Sequence, residues 1–231
     1  MRKIGTPFLV WACLAAAIIS AYSQTSSRLP PQEGEQGRLL FAARRMAPPD
    51  LKPLLVVPTP VPTPAYRYEF KRLMRELDRI DRFDAVIARE ARRFGMDPRL
   101  VKAIIAAESD FMTGAHSPRG AQGLMQLLPS TAESLGLAKS ALGDPEGNIS
   151  AGTAYLRFLF DEAWRRSRLP GTDFTSAPPW LVQRIIAAYN AGPRSLGRSR
   201  WKPETRSYVR KVVLFYQSEV SVVLRSGMPQ S

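Results

Sequence analysis

Seven prolines crowd into seventeen residues at PPDLKPLLVVPTPVPTP, positions 48 to 64. Each fixes φ and removes a backbone donor, so the run can neither extend a helix nor pair in the middle of a sheet. It reads as an extended, semi-rigid spacer, with a simple disordered tether as the alternative; fully extended it would reach roughly 50 Å. Residues 24 to 47 before it are polar and mixed, with no sustained period. A core has to be built from the chain beyond residue 65.

The first 23 residues have the form of an export signal. Arg2 and Lys3 open it, FLVWACLAAAIIS (8 to 20) is an apolar run, and AYS (21 to 23) supplies small residues at the cleavage site. The run falls short of the about 20 residues that a transmembrane helix needs. Cleavage after Ser23 is expected, with an uncleaved anchor as the rival. A lipoprotein reading through VWAC (10 to 13) conflicts with the apolar run continuing past Cys13. The expected organisation is a signal at 1–23, a low-complexity, proline-rich linker at 24–65, and one globular domain at 66–227.

Scarcity narrows the chemistry. Cys13 is the only cysteine and lies in the signal, and His116 is the only histidine. A zinc site built from histidine and cysteine is excluded, and a Ser-His-Asp triad would have to use His116. An enzyme of this composition is expected to work with carboxylates. The net charge is +13, or +11 without Arg2 and Lys3, a balance that suits polyanions or acidic surfaces unless it only reflects solvated helix faces. Export argues against nucleic acid and for an acidic wall polymer or a membrane surface.

From residue 68 the pattern turns helical. Phe70, Leu73, Leu77, Ile80, Phe83, Ile87, Ala91 and Phe94 recur at three- and four-residue steps, and Gly95 breaks the run. MDPRLVKAIIAAES restarts it, with Asp97 as N-cap and Pro98 at the first helical position. Further helices are expected at 129–136, with Ser130 as a candidate cap, and at 148–166, 180–190 and 204–221. Period-two alternation is not evident outside the signal and linker. The expected fold is all-α, one predominantly helical domain of about 160 residues, large enough to bury a core.

The stretch AIIAAESDF (103 to 111) ends an apolar helix on Glu108. Desolvation and the negative end of the helix dipole both raise a carboxyl's pKa, and a carboxyl that holds its proton near neutral pH is a general acid. A glutamate at a helix end is ordinarily just exposed. Downstream, SPRGAQGLMQLLPSTA (117–132), NISAGTAYL (148–156), AAYNAGP (187–193) and PETRSYV (203–209) change that reading.

In this order and spacing, ESDF and these four stretches closely resemble the catalytic domain of the soluble lytic transglycosylases, within the lysozyme-like superfamily of α+β character. The resemblance spans roughly residues 83 to 217. It implies non-hydrolytic cleavage of peptidoglycan between N-acetylmuramic acid and N-acetylglucosamine. Glu108 would protonate the glycosidic oxygen and then, as a base, take the proton of the muramyl C6 hydroxyl, closing a 1,6-anhydro ring. The substrate's acetamido group is thought to steady the cationic centre. One carboxylate then suffices where most glycosidases need two.

The same resemblance assigns the cleft. Ser109 would hydrogen-bond substrate or orient the acid, unless it only caps the helix. Met125 would pack on sugar, or else be core, and Gln126 would donate to it. Tyr189 would lie close to the acid and fix its orientation and protonation, with Asn190 supporting the cleft. Glu204 would reach the saccharide groove or serve the helix dipole, and Tyr208 would line the groove or brace it. Gly120 and Gly123 allow close backbone approach. Asp110 invites a hydrolytic, lysozyme-like reading, but residues two apart on a continuing helix face apart. Arg194 stands where the family usually has a small residue, as an added contact to peptide-stem carboxylates or a solvent-facing substitution. DPEGNI (144–149) lacks the spacing of an EF-hand; no metal and no cofactor are expected.

The expectation is therefore a monomeric, exported wall enzyme in the periplasm or another cell-envelope space of a bacterium, with no membrane span after signal cleavage. Its partner is the glycan strand, and residues 24–64 are a candidate contact for a cell-envelope protein. The rivals are a hydrolytic muramidase and a wall-binding scaffold without turnover.

Overall fold

Thr63 ends the proline-rich run by starting a helix. Its hydroxyl accepts from the Tyr66 N–H at 3.2 Å, and Pro64 occupies the first helical position, where a missing N–H costs nothing. The computed structural model describes residues 60–167, 177–198 and 200–223. The expected signal, residues 24–59 of the linker and the end of the expected domain past residue 223 lie outside the described residues.

Eight α-helices are described: α1 (Pro64–Leu73), α2 (Leu77–Asp81), α3 (Asp84–Phe94), α4 (Pro98–Ser109), α5 (Pro129–Ser134), α6 (Pro145–Ser167), α7 (Pro179–Ala191) and α8 (Pro203–Tyr216). Short 3₁₀ turns add Lys139–Leu142, Pro193–Gly197 and Glu219–Ser221. Among the described residues there is no β-strand, only isolated bridges joining His116 to Gln122 and Gln122 to Leu127. The fold is helical, as the sequence pattern requires. No helix among the described residues is long and apolar enough to cross a membrane.

Helix α4 runs through the middle. Leu100 to Ala106 are all buried, which fits a segment apolar on every side. It packs on α8 and α3, and α7 packs on α6 and α8. One charge enters this core. Lys102 is fully buried, and its Nζ meets Asp81 at 2.8 Å, Asp84 at 2.6 Å and the Val222 carbonyl at 2.6 Å. A buried ammonium survives only with such partners, so this one residue ties α4 to α2, α3 and the C-terminal turn.

The structure corrects several expected boundaries. The period from 68 to 94 belongs to three helices rather than one, with breaks at 74–76 and 82–83. Leu77, placed in the core by the period, is half exposed because the first break turns it outward. Ser130 does not cap α5; Leu128 is the N-cap residue and makes no side-chain cap bond. Helix α6 begins at Pro145 rather than 148, and α8 stops at Tyr216 before a 3₁₀ turn. Helix α4, capped by Asp97 Oδ1 on the Arg99 N–H at 2.8 Å, has the expected bounds.

Candidate active site

The site lies where α4 ends. Asp97 and Pro98 start the helix and left-handed backbone at Asp110 and Phe111 (φ 52° and 62°) stops it. Glu108 falls in its last turn, beside the C-terminal carbonyls. Its Oε1 accepts a hydrogen bond from the Tyr208 hydroxyl at 2.6 Å. Burial pushes the Glu108 carboxyl up to about 7, against the opposing pull of the Tyr208 hydrogen bond and the Lys211 charge. Desolvation dominates because the ionised form loses water that two partners only partly replace. The result is a carboxyl that holds or releases its proton near neutral pH.

The tyrosines around it stay neutral donors. Burial, then the charge of Glu108, raises Tyr208 well above the usual phenol value, and the same causes act in the same order on Tyr189. Burial also raises Tyr155 to about 12. The Tyr189 hydroxyl donates to the Met125 carbonyl at 2.9 Å, and its ring tilts against Tyr155 with centroids 5.4 Å apart. The hydroxyl that grips the acid belongs to Tyr208; Tyr189, which the resemblance puts close to the acid, is near enough for the Glu108 charge to act on it but gives its hydroxyl to the loop. Tyr189 approaches the site by holding the loop.

That loop, residues 111–128, is pinned from beneath by the start of α6. Asn148 Oδ1 accepts from the Met125 N–H at 2.8 Å, while its Nδ2 donates to the carbonyls of Gln122 (2.9 Å) and Leu142 (3.1 Å). Gly123 has φ +76°, and a Cβ there would sit 2.3 Å from Asn148 Nδ2. Only glycine permits both the backbone and the close approach. Met125 is fully buried and lies on Gly152, where a Cβ would come within 2.3 Å of its Sδ. Its side chain therefore faces the core and does not pack on sugar as the resemblance implies.

Ser109 is also buried. Its one hydroxyl proton is shared between the carbonyls of Leu124 (2.8 Å) and Ile105 (3.2 Å), so it staples the end of α4 to the loop rather than reaching substrate. Gln126, in left-handed backbone at φ 47°, donates its amide to Ala115 and Gly123 carbonyls, both at 2.9 Å. Asn190 at the end of α7 and Glu204 in the first turn of α8 are exposed, open to a polymer but not hydrogen-bonded to Glu108. Asp110 does not sit on a continuing helix. Its left-handed backbone comes after the last turn of α4, and its carboxylate pairs with Arg72 of α1.

Three contributors have no counterpart among the site residues expected from the sequence: Asn148, Lys211 and Arg72. Lys211 donates to the Ala107 carbonyl at 3.1 Å and pairs with Glu69 at 3.0 Å. Its position three residues after Tyr208 is the available signal, since both then share a helix face. A pocket of ≈ 430 Å³ is lined by Arg79, Arg82, Phe83 and residues 111–115. Glu108 does not line it, and the chemistry of the acid rests on the carboxyl's own partners.

Residues 85–211, more than half of the chain, match the family model of the transglycosylase SLT domain. The chain belongs to the transglycosylase SLT family. Helices α1 and α2 precede the matched region. Among curated relatives, a transglycosylase of Enterobacteria phage PRD1 is 33% identical over 121 residues, which cover 52% of this chain and 38% of the phage protein. Membrane-bound lytic murein transglycosylase F of Desulfosudis oleivorans is 40% identical over 114 residues, covering 49% of this chain and 23% of that one. The chain thus spans well under half the length of these relatives. Among solved structures, an inactive mutant of lytic transglycosylase Slt from Pseudomonas aeruginosa aligns at 29% identity with a TM-score of 0.45, covering 57% of this chain and 23% of that one.

Proposed function

We infer that this SLT-family chain is a peptidoglycan lytic transglycosylase acting in the cell envelope, with Glu108 as acid and then base. The protonated carboxyl gives its proton to the glycosidic oxygen as the bond from C1 of N-acetylmuramic acid breaks, and the N-acetylglucosamine side leaves with a hydroxyl. The carboxylate then takes the proton of the muramyl C6 hydroxyl while that oxygen bonds C1. The 1,6-anhydro ring closes, Glu108 is protonated again, and no water is consumed.

The observation that carries this reading is a carboxyl that burial pushes up to about 7 and on which, among the described residues, no second carboxylate acts. A retaining hydrolase places its two carboxyl groups about 5 Å apart, and an inverting one leaves room for water between them. Asp110 stands two residues on, and its Oδ2 is paired with Arg72 of α1. Tyr208 supports the cycle because its hydroxyl favours the carboxylate once the proton has gone. Asn190 and Glu204, exposed on the flanking helices, are the residues we assign to glycan contact. Ser109, Met125 and Gln126 shape the wall of the site from behind, and Tyr189 holds the loop from beside the acid.

The test is digestion of purified sacculi by the full chain and by Glu108→Gln. Wild type releases fragments whose muramyl ends are one water lighter than hydrolysed ends, as read by mass spectrometry. Glu108→Gln, folded by circular dichroism, loses at least about a hundredfold in rate, the usual scale of acid–base catalysis. Water-containing ends would instead make the protein a muramidase. Binding to sacculi with no release by wild type would make it a scaffold.

A further inference from the structure

The last carbonyls of a helix have no partner within the helix and need donors from elsewhere. At the end of α4 the Ser109 carbonyl accepts from the Met112 N–H at 3.0 Å. The Ala107 carbonyl, immediately before the acid, accepts instead from Lys211 Nζ on α8. Lysine near a helix C-terminus both fills the orphan acceptor and opposes the negative end of the dipole. The same Nζ lies 3.0 Å from Glu69 Oε2 on α1, and both side chains are roughly three-quarters shielded from water. Three helices thus meet at one ammonium, directly behind Glu108.

We propose that Lys211 is a positioning residue for Glu108, holding the carbonyl end of α4 and supplying a positive charge that Glu69 of α1 attenuates. This rests on the assignment of Glu108 as the acid. It adds a part from outside the matched SLT region, because α1 ends before residue 85.

The surroundings leave this role to Lys211. From α8 the acid is faced by Tyr208 and Lys211, from α7 by Tyr189, with Tyr155 of α6 behind it. Each tyrosine is kept neutral by burial. Asp110, two residues on, is balanced by Arg72 of α1, while His116 and Arg119 of the loop are exposed. Among the described residues, Lys211 is the cation whose charge acts on Glu108. Burial alone would keep the proton on and starve the base step. A bare lysine beside the acid would draw the proton off too early. Glu69, as the countercharge, leaves the carboxyl between those limits.

The experiment is a ¹³C-carboxyl NMR titration of Glu108 in the full chain, for wild type, Lys211→Met, Lys211→Arg and Glu69→Gln, each checked for folding by circular dichroism. Lys211→Met is expected to raise the Glu108 midpoint by on the order of one pH unit, the effect of removing one nearby opposite charge. Glu69→Gln should lower it, and Lys211→Arg should restore a midpoint close to wild type. Digestion of sacculi should change in step, with the pH optimum moving up in Lys211→Met and down in Glu69→Gln. Midpoints unmoved in both Lys211→Met and Glu69→Gln would overturn the proposal. So would a loss of activity shared equally by Lys211→Met and Lys211→Arg with no change in pH profile. If Lys211→Met does not fold, Glu69→Gln alone decides the matter through the direction of its shift. Titration needs no substrate, so moved midpoints without anhydro products would sink the catalytic reading and spare this one. Normal products with unmoved midpoints would do the reverse.

Discussion

Glutamine in place of Glu108 keeps the shape and removes the charge, so it isolates what a buried carboxylate does to the fold. The folded protein holds the Glu108 proton up to about 7, against an ordinary value of 4.5. Between those two pH values the folded state binds more protons than the unfolded chain. Wild type therefore loses stability as pH climbs through this window, and the contribution is fully present only below about 4.5. At 1.36 kcal/mol per unit the whole interval corresponds to about 3 kcal/mol. Solvent reaching the partly exposed carboxyl brings a realistic figure nearer 2 kcal/mol. Gln does not titrate, and its Oε1 still accepts from Tyr208. The stability of Glu108→Gln relative to wild type should thus grow by about 2 kcal/mol from pH 4 to pH 8. Urea unfolding of the two proteins at pH 4, 6 and 8, with m unchanged, measures this difference while all other titrations cancel. A difference independent of pH, or one that grows toward low pH, would refute the buried-acid reasoning.

Two further outcomes test the frame around the acid. Tyr208→Phe removes the donor that favours the carboxylate, so the Glu108 midpoint should rise and glycan turnover at neutral pH should fall by roughly tenfold or more, the scale of a hydrogen bond to a charged group; turnover and midpoint equal to wild type would remove Tyr208 from the site. Asn148→Ala leaves the Met125 N–H and the Leu142 carbonyl without their partner, while the Gln122 carbonyl keeps the Leu127 N–H, and should cost about 2–4 kcal/mol in urea unfolding, with hydrogen exchange accelerated at Met125.

How much of this can be read from the residues varies along the chain. Helix α4 is legible to its ends because an Asp-Pro start and an unbroken apolar run leave little freedom. Helix α5 also starts where expected, while α6, α7 and α8 start one to three residues early, and six of the eight described α-helices begin on a proline. Pro145, Pro179 and Pro203 each mark the true first residue by the N1 preference. The breaks within 64–94 are illegible because the apolar period runs through them without a glycine or proline. Glu108 emerges from its position after an apolar run only together with the stretches downstream. Its partners do not, because they come from residues far apart in sequence. Which tyrosine grips the acid depends on how α7 and α8 are rotated, and both Tyr189 and Tyr208 come after apolar or mixed helical stretches. Met125 and Ser109 lie on sequence stretches that mark the site, yet their side chains turn inward to hold the loop and the helix end. A motif locates a region; the direction of each side chain is a packing outcome.

A single carboxyl that must give a proton and take one back within a turnover cannot sit far from the ambient pH in either direction. Burial at the end of α4 pushes it one way, and the Tyr208 hydroxyl with the Lys211 ammonium pulls it the other. These opposing influences come from different helices, so the acid's midpoint depends on how closely α4 and α8 are held. Helix α1 touches both. Tyr66 donates to the Leu214 carbonyl of α8 at 3.1 Å, Arg72 pairs with Asp110 at the end of α4, and Glu69 meets Lys211 between them. The helix that begins where the proline-rich run stops is therefore bound to the two elements that tune the acid. A loosened α1 would let water into the end of α4, restore hydration to the carboxylate, and move Glu108 back toward an ordinary value.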